Sequence, residues 1–179
     1  MTFLTRGAII AALYAAITIL LAPISYGPLQ VRVSEALTVL PYLEPAAIPG
    51  LFVGCIFANI YGGLGPWDIF GGSLLTLIAA FLTWQIGRIF RKSASPVIHY
   101  YYGPLLALLP PVIINAFGVA YILMVVLKVP YWITALYVGI GQSIAVYILG
   151  YPLLLILLKR GFPTGLSRLE GRKIREFKS

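Results

Sequence analysis

No charged side chain occurs between Arg6 and Arg32, between Asp68 and Arg88, between Lys92 and Lys128, or between Lys128 and Lys159. Uncharged runs of this kind match the ~20 mainly apolar residues that carry an α-helix across a bilayer. Composition agrees: 60% of residues are hydrophobic and 10% charged, with a mean hydropathy of +0.96, against roughly 25% charged residues in a soluble domain. The chain therefore reads as an all-α integral membrane protein, and its short loops leave no room for a separate soluble domain.

Against that background the stretch from Val31 to Asp68 stands out, because Arg32, Glu35, Glu44 and Asp68 all fall in it. Charges in apolar surroundings are costly and commonly serve function, so this stretch is read as the substrate-handling part. The single cysteine, Cys55, excludes an internal disulfide and a multi-cysteine metal site.

Six transmembrane helices are expected. The first covers about 5–22 and is stopped by Pro23; its apolar run follows only Arg6, exceeds a signal-peptide core, and is expected to be retained. Gly27-Pro28 marks a turn. A short second helix starts at Ser34 as N-cap and ends by Leu43, because Pro45 biases Glu44 away from helical geometry. The third covers about 46–61, and the fourth about 67–88 with Asp68 in its first turn. The fifth covers about 101–126, kinked at Pro110-Pro111. The sixth covers about 131–158, weakened by Gly139, Gly141, Gly150 and Pro152. Residues 1–158 thus form one transmembrane domain and 159–179 a basic tail with seven Lys/Arg against two Glu. Gly62-Gly63-Leu64-Gly65-Pro66 is a turn and not a phosphate loop, since no Gly-Lys-Ser/Thr follows it.

Lys and Arg collect at the cytoplasmic ends of helices. With the N-terminus inside, Arg6, the Arg88–Lys92 cluster and the tail are cytoplasmic, and Arg32 and Lys128 are outside. Both termini are then cytoplasmic, and the polar residues converge at the outer end. The net charge of +8 is explained in this way, with no nucleic-acid partner. The tail is a solvated end, or it rests on anionic lipid.

Two rows of small residues, Gly7–Ala11–Ala15 and Ala8–Ala12–Ala16, lie on neighbouring ridges of the first helix. Each suits close helix approach, either as packing within the bundle or as a docking face for a partner.

The segments QVRVSEALTVLPYL (30–43), PAAIPGLFVGCIFANIYGG (45–63) and WDIFGGSLLTLIAAFLT (67–83) resemble the QueT-type queuosine-precursor S-components of energy-coupling factor (ECF) transporters. The resemblance is carried by the first four helices, and by the last two mainly in layout. It implies an S-component-like bundle in a prokaryotic plasma membrane that captures a 7-deazaguanine such as queuine, preQ0 or preQ1 from outside. It further implies partners: one transmembrane coupling subunit and two ATPases. The chain itself would hold no cofactor, ATP being used by those ATPases. The alanines Ala8, Ala11, Ala12, Ala15 and Ala16 resemble the docking face for the coupling subunit.

A deazaguanine offers an amidine-like edge to a carboxylate, a carbonyl and pyrrole N–H to amides, and a flat face to an aromatic ring. The candidates are Glu35 and Asp68 as carboxylates, with Arg32 beside them, and Asn59, Asn115 and Gln142 as amides. Trp67, Tyr131 or Trp132 would supply the platform. An aminomethyl group on the ligand would suit a second carboxylate. Each candidate has an alternative. Glu35 can pair with Arg32, Asp68 can serve as a helix cap, the amides as interhelical glue, and the aromatic residues as an interfacial belt. Glu44 is read as a cap or subunit contact, His99 as a surface residue and Cys55 as core. Rival functions are an S-component for another vitamin, a small membrane enzyme, and a scaffold. One histidine and one cysteine on separate segments make a poor catalytic constellation.

Overall fold

The computed structural model describes residues 1–26, 32–91, 95 and 97–160. The Gly27-Pro28 turn, Lys92 and the tail from 161 to 179 lie outside the described residues. Every regular element among the described residues is helical. Four helices are long and apolar enough to cross a membrane: α1 (Phe3–Leu20), α3 (Trp67–Phe90), α4 (Ile98–Leu127) and α5 (Tyr131–Lys159). Between α1 and α3 lie a 3₁₀ helix (Val33–Tyr42) and the shorter apolar helix α2 (Ala47–Gly62). Large apolar side chains such as Leu20, Phe57, Phe70, Ile89 and Ile148 face outward. That surface is a liability in water and the expected one in lipid.

The second predicted helix is present but is 3₁₀ throughout its ten residues. Pro41, inside it, has no N–H to give to an i−4 carbonyl, and the Thr38 hydroxyl donates to Glu35 O at 2.6 Å. A 3₁₀ helix rises about 2.0 Å per residue against 1.5 Å for an α-helix, so this short segment covers more depth than an α-helix of equal length. It occupies the centre of the bundle, with Ser34, Glu35, Thr38, Val39 and Tyr42 all buried. α5 reaches it through Gly150, where a Cβ would lie 2.6 Å from Val39 Cγ1 and 2.9 Å from Ala36 O.

Prolines act one step away from where simple kinking would put them. α1 breaks at Leu21, and Pro23 sits in the first turn of a short helix, Ala22–Ser25. α4 is interrupted at Leu108, which leaves Pro110 in the first turn of the following segment. Both are positions where a missing N–H costs nothing. Three π-helical stretches, Trp67–Gly72 in α3, Ile98–Tyr102 in α4 and Ile144–Gly150 in α5, replace regular α geometry.

The small-residue rows of α1 separate. Gly7 and Ala11 are buried against α2, where a Cβ on Gly50 would lie 2.7 Å from Gly7 O and one on Gly54 2.8 Å from Ala11 O. Ala15 is half-buried, whereas Ala8, Ala12 and Ala16 are exposed. The first row therefore packs the bundle, and the second is left facing outward.

Charges segregate to opposite ends. Arg6 pairs with Glu44, Arg91 Nη1 donates to Leu43 O at 3.4 Å, and Leu158 packs with Tyr42 and Leu43, just before Lys159 and Arg160. At the far end, Arg32 meets Asn59, and Val129 beside Lys128 packs with the cluster that holds Leu64.

Candidate ligand-binding site

A cluster of buried polar residues forms where the 3₁₀ helix meets α1, α2, α3, α4 and α5. Arg32, 6% exposed, precedes the 3₁₀ helix and donates from Nη1 to Asn59 Oδ1 at 3.0 Å. Its guanidinium carbon lies 5.4 Å from the centre of the Tyr26 ring, within cation–π range. Burial raises the Tyr26 hydroxyl above its ordinary value, opposed by Arg32, and the protonated group donates to Ala58 O at 2.5 Å. Asn59 in turn donates from Nδ2 to Asp68 O at 2.8 Å. α2 and α3 meet here because Gly72 has no side chain: a Cβ there would lie 2.9 Å from Asn59 Nδ2 and 3.2 Å from Asp68 Oδ1.

Glu35 forms the second half. Its Oε1 accepts from the Tyr14 hydroxyl and its Oε2 accepts from Asn115 Nδ2 at 3.2 Å. Thr18 donates to Ser34 Oγ at 2.6 Å, adding a second tie between α1 and the 3₁₀ helix. The expected structural pair of Arg32 with Glu35 is not made. The arginine is engaged by Asn59 and Tyr26, and the carboxylate by donors from two other helices, Tyr14 of α1 and Asn115 of α4.

These bonds leave specific atoms over. Arg32 Nη2, Asp68 Oδ2, Asn115 Oδ1, Gln142 Oε1 and Ser73 Oγ are buried with no hydrogen-bond partner. A buried polar atom without a partner costs about 1–3 kcal/mol, and groups so placed mark candidate sites. Asn115 turns its amide nitrogen toward Glu35, which leaves its carbonyl oxygen available, and the Gln142 carbonyl oxygen is likewise without a partner. The cluster thus presents one cationic donor and three free carbonyl or carboxylate acceptors, besides one hydroxyl. Asp68 also belongs to the π-helical stretch Trp67–Gly72, and such stretches recur at functional sites.

Of the expected site residues, Arg32, Glu35, Asn59, Asp68, Asn115 and Gln142 come together, each at most 6% exposed. Trp67 and Trp132 are 68% and 75% exposed and stand on the outside of the bundle. Tyr131 bonds the backbone at Phe117 O, 3.4 Å away, and packs edge-on to Trp132. Glu44 lies away from this cluster, paired with Arg6, its Oε1 accepting from Ala46 N at 3.2 Å just ahead of α2. Asp68 makes no side-chain cap bond. His99 is half-buried and edge-on to Tyr100, 4.6 Å between centroids. Cys55 lies beneath the site, its Sγ 3.5 Å from both Asn59 Nδ2 and Thr76 Oγ1.

Sequence reasoning missed Tyr14, Thr18, Tyr26 and Ser73. A signal for two of them was present: Gly7, Ala11, Tyr14 and Thr18 recur at helical spacing, so the inward row of α1 continues into the site. Tyr26 and Ser73 carry no comparable pattern.

The family model described as QueT transporter matches residues 4–159. A relative from Lactococcus lactis subsp. cremoris (strain MG1363), "Queuosine precursor transporter QueT", is 39% identical over 74 residues. That segment is 40% of this chain and spans 43% of the relative. No solved structure matches the chain.

Proposed function

The chain belongs to the QueT transporter family, and from that premise we propose that it is the substrate-binding membrane subunit of an ECF-type importer for a 7-deazaguanine precursor of queuosine. As a member of a transporter family it moves a small molecule across a membrane and is not an enzyme. The reading rests on one observation: a buried cluster of Arg32, Glu35, Asn59, Asp68, Asn115 and Gln142 inside a bundle whose outer face is apolar. A deazaguanine matches the leftover groups. Its carbonyl accepts from Arg32 Nη2, and its ring and amino N–H groups donate to Asn115 Oδ1, Gln142 Oε1 and Asp68 Oδ2. Charge-assisted bonds of this kind are strong in a dry site, and a base lacking those donors leaves buried acceptors unpaired.

The same reading gives six membrane-embedded segments, with the 3₁₀ helix and α2 completing the four long spans. The basic end with Arg6, Arg88, Arg91, Lys159 and Arg160 supports cytoplasmic termini by the positive-inside rule, which opens the Arg32–Asp68 end outward in a prokaryotic plasma membrane. The exposed Ala8–Ala12–Ala16 row is the face for a transmembrane coupling subunit, with two partner ATPases supplying the ATP-driven step.

The test is titration of the purified, detergent-solubilised protein with queuine, 7-aminomethyl- and 7-cyano-7-deazaguanine, guanine and riboflavin. Saturable binding of at least one deazaguanine, tighter than guanine and riboflavin, is expected. Riboflavin binding alone, or binding of none, overturns the reading.

A further inference from the structure

Away from the polar cluster, α4 and α5 enclose a groove of about 760 Å³ on the outside of the bundle. Small residues meet at its floor, where a Cβ on Gly139 would lie 3.4 Å from Ala116 Cβ. Its rims carry large apolar side chains that are half exposed or more, Ile113 and Phe117 from α4 and Leu136 and Ile148 from α5. A partner helix packs closest where small residues face it. Here the small residues face each other and the bulky ones face out, which suits a thinner and more pliable occupant.

The groove offers nothing to a polar ligand. Ser143 Oγ donates to Gly139 O at 2.7 Å and the Tyr147 hydroxyl to Leu105 O at 3.2 Å, so both hydroxyls are spent inside the protein. A purine-like base held there would leave its own polar groups unpaired, at a cost. From Trp132 to Ile148 the groove follows α5 for about 24 Å at 1.5 Å per residue. That is most of the ~30 Å hydrocarbon core of a bilayer, so hydrocarbon is what surrounds it.

One end differs. The connection from α4 to α5 lies at the Trp132 mouth and carries Lys128, exposed and in no ion pair among the described residues. Tyr131 and Trp132 follow at once, side chains suited to the boundary of lipid and water. Arg32, at the same end of the bundle, is buried on Asn59 and Tyr26, so an anion arriving at this mouth meets Lys128.

We propose that the groove is a lipid site: it holds an acyl chain of a phospholipid with an anionic headgroup, whose charge is met by Lys128. The chain enters at the Trp132 mouth and lies between α4 and α5. It braces from outside the two helices that supply Asn115 and Gln142 to the polar cluster.

The experiment uses the full chain, purified in mild detergent, stripped of lipid and titrated with phosphatidylglycerol and phosphatidylcholine of identical acyl chains. Native mass spectrometry counts the bound lipid. Wild type should hold one phosphatidylglycerol per chain, about fivefold tighter than phosphatidylcholine, the worth of one basic residue beside an anionic surface. Lys128→Gln should bring that ratio close to one. Gly139→Leu, which fills the floor of the groove, should weaken both lipids by similar factors. Saturable binding of neither lipid to wild type, equal binding of both, or a preference that survives Lys128→Gln overturns the proposal. Unchanged lipid binding in Gly139→Leu overturns it too, as does a wild-type dimer that this variant makes monomeric, which puts a second copy in the groove. Should Gly139→Leu not yield folded protein, the wild-type ratio and Lys128→Gln decide.

Discussion

Arg6 Nε lies 3.3 Å from Glu44 Oε2, joining the first turns of α1 to the loop that ends the 3₁₀ helix. The glutamate side chain is 6% exposed and the arginine 20%, so the pair is shielded well beyond an ordinary surface bridge. Glu44 also accepts from the backbone of Ala46, and Arg91 reaches the same loop through Leu43 O. Three segments are therefore closed at this end by one carboxylate and two guanidinium groups.

Glu44→Ala should consequently lower stability by about 1–3 kcal/mol, the cost of stranding a partly buried partner. Arg6→Ala should cost at least as much, because it strands the more buried member of the pair. Thermal unfolding in detergent measures both, and the double variant should fall short of the sum, since each removes the same pair. Full additivity would show the contact to be idle.

The two rows on α1 make opposite predictions. Gly54→Val places methyl groups where Ala11 O already stands 2.8 Å from an ideal Cβ, and overpacking of this kind costs about 1–3 kcal/mol. Ala12→Val adds volume on the exposed row and should leave the melting temperature and deazaguanine affinity unchanged. In co-purification with the coupling subunit, however, Ala12→Val should reduce capture. If it is captured as well as wild type, the outward row is not the docking face.

The helices were legible in the sequence because apolar runs, prolines and charges mark their ends, and the observed limits fall close to those marks. The 3₁₀ form of Val33–Tyr42 was not, because it depends on Thr38 bonding Glu35 O and on α5 pressing Gly150 against Val39. The cluster residues were legible as buried charges and amides. Their division of labour was not: one cannot tell from spacing that Glu35 faces Tyr14 and Asn115 while Arg32 faces Asn59. Helix rotation decides that, and it is set by close contacts such as Gly54 on Ala11 and Gly72 on Asn59.

Trp67 and Trp132 illustrate the same limit. Both have the chemistry of a stacking platform, yet both stand on the outer surface. Trp67→Ala and Trp132→Ala should therefore change deazaguanine affinity by no more than about twofold, the usual range for substitutions away from a site. Tyr26→Ala should weaken binding more, because it frees the Arg32 guanidinium from the ring beneath it. Fluorescence-independent titration, such as calorimetry, avoids the signal that the tryptophans themselves contribute. A large loss in either tryptophan variant would move the platform back to the bundle surface.

Glu35 and Tyr14 share one buried hydrogen bond. Tyr14 is fully buried, and its hydroxyl is the donor to Glu35 Oε1. Tyr14→Phe keeps the ring and removes that donor, which should cost about 1–3 kcal/mol of stability and loosen the carboxylate. Glu35→Gln acts more directly. A neutral amide at this position brings its own NH2, which competes with that of Asn115, so the Asn115 carbonyl oxygen loses a fixed direction. Both variants should weaken the aminomethyl and the cyano compounds by similar factors, Glu35→Gln more than Tyr14→Phe, because the base-reading acceptors are shared by both ligands. Titration of both variants with the two compounds checks this. A loss confined to one compound in Glu35→Gln would show that Glu35 meets the 7-substituent and not the shared base-reading groups.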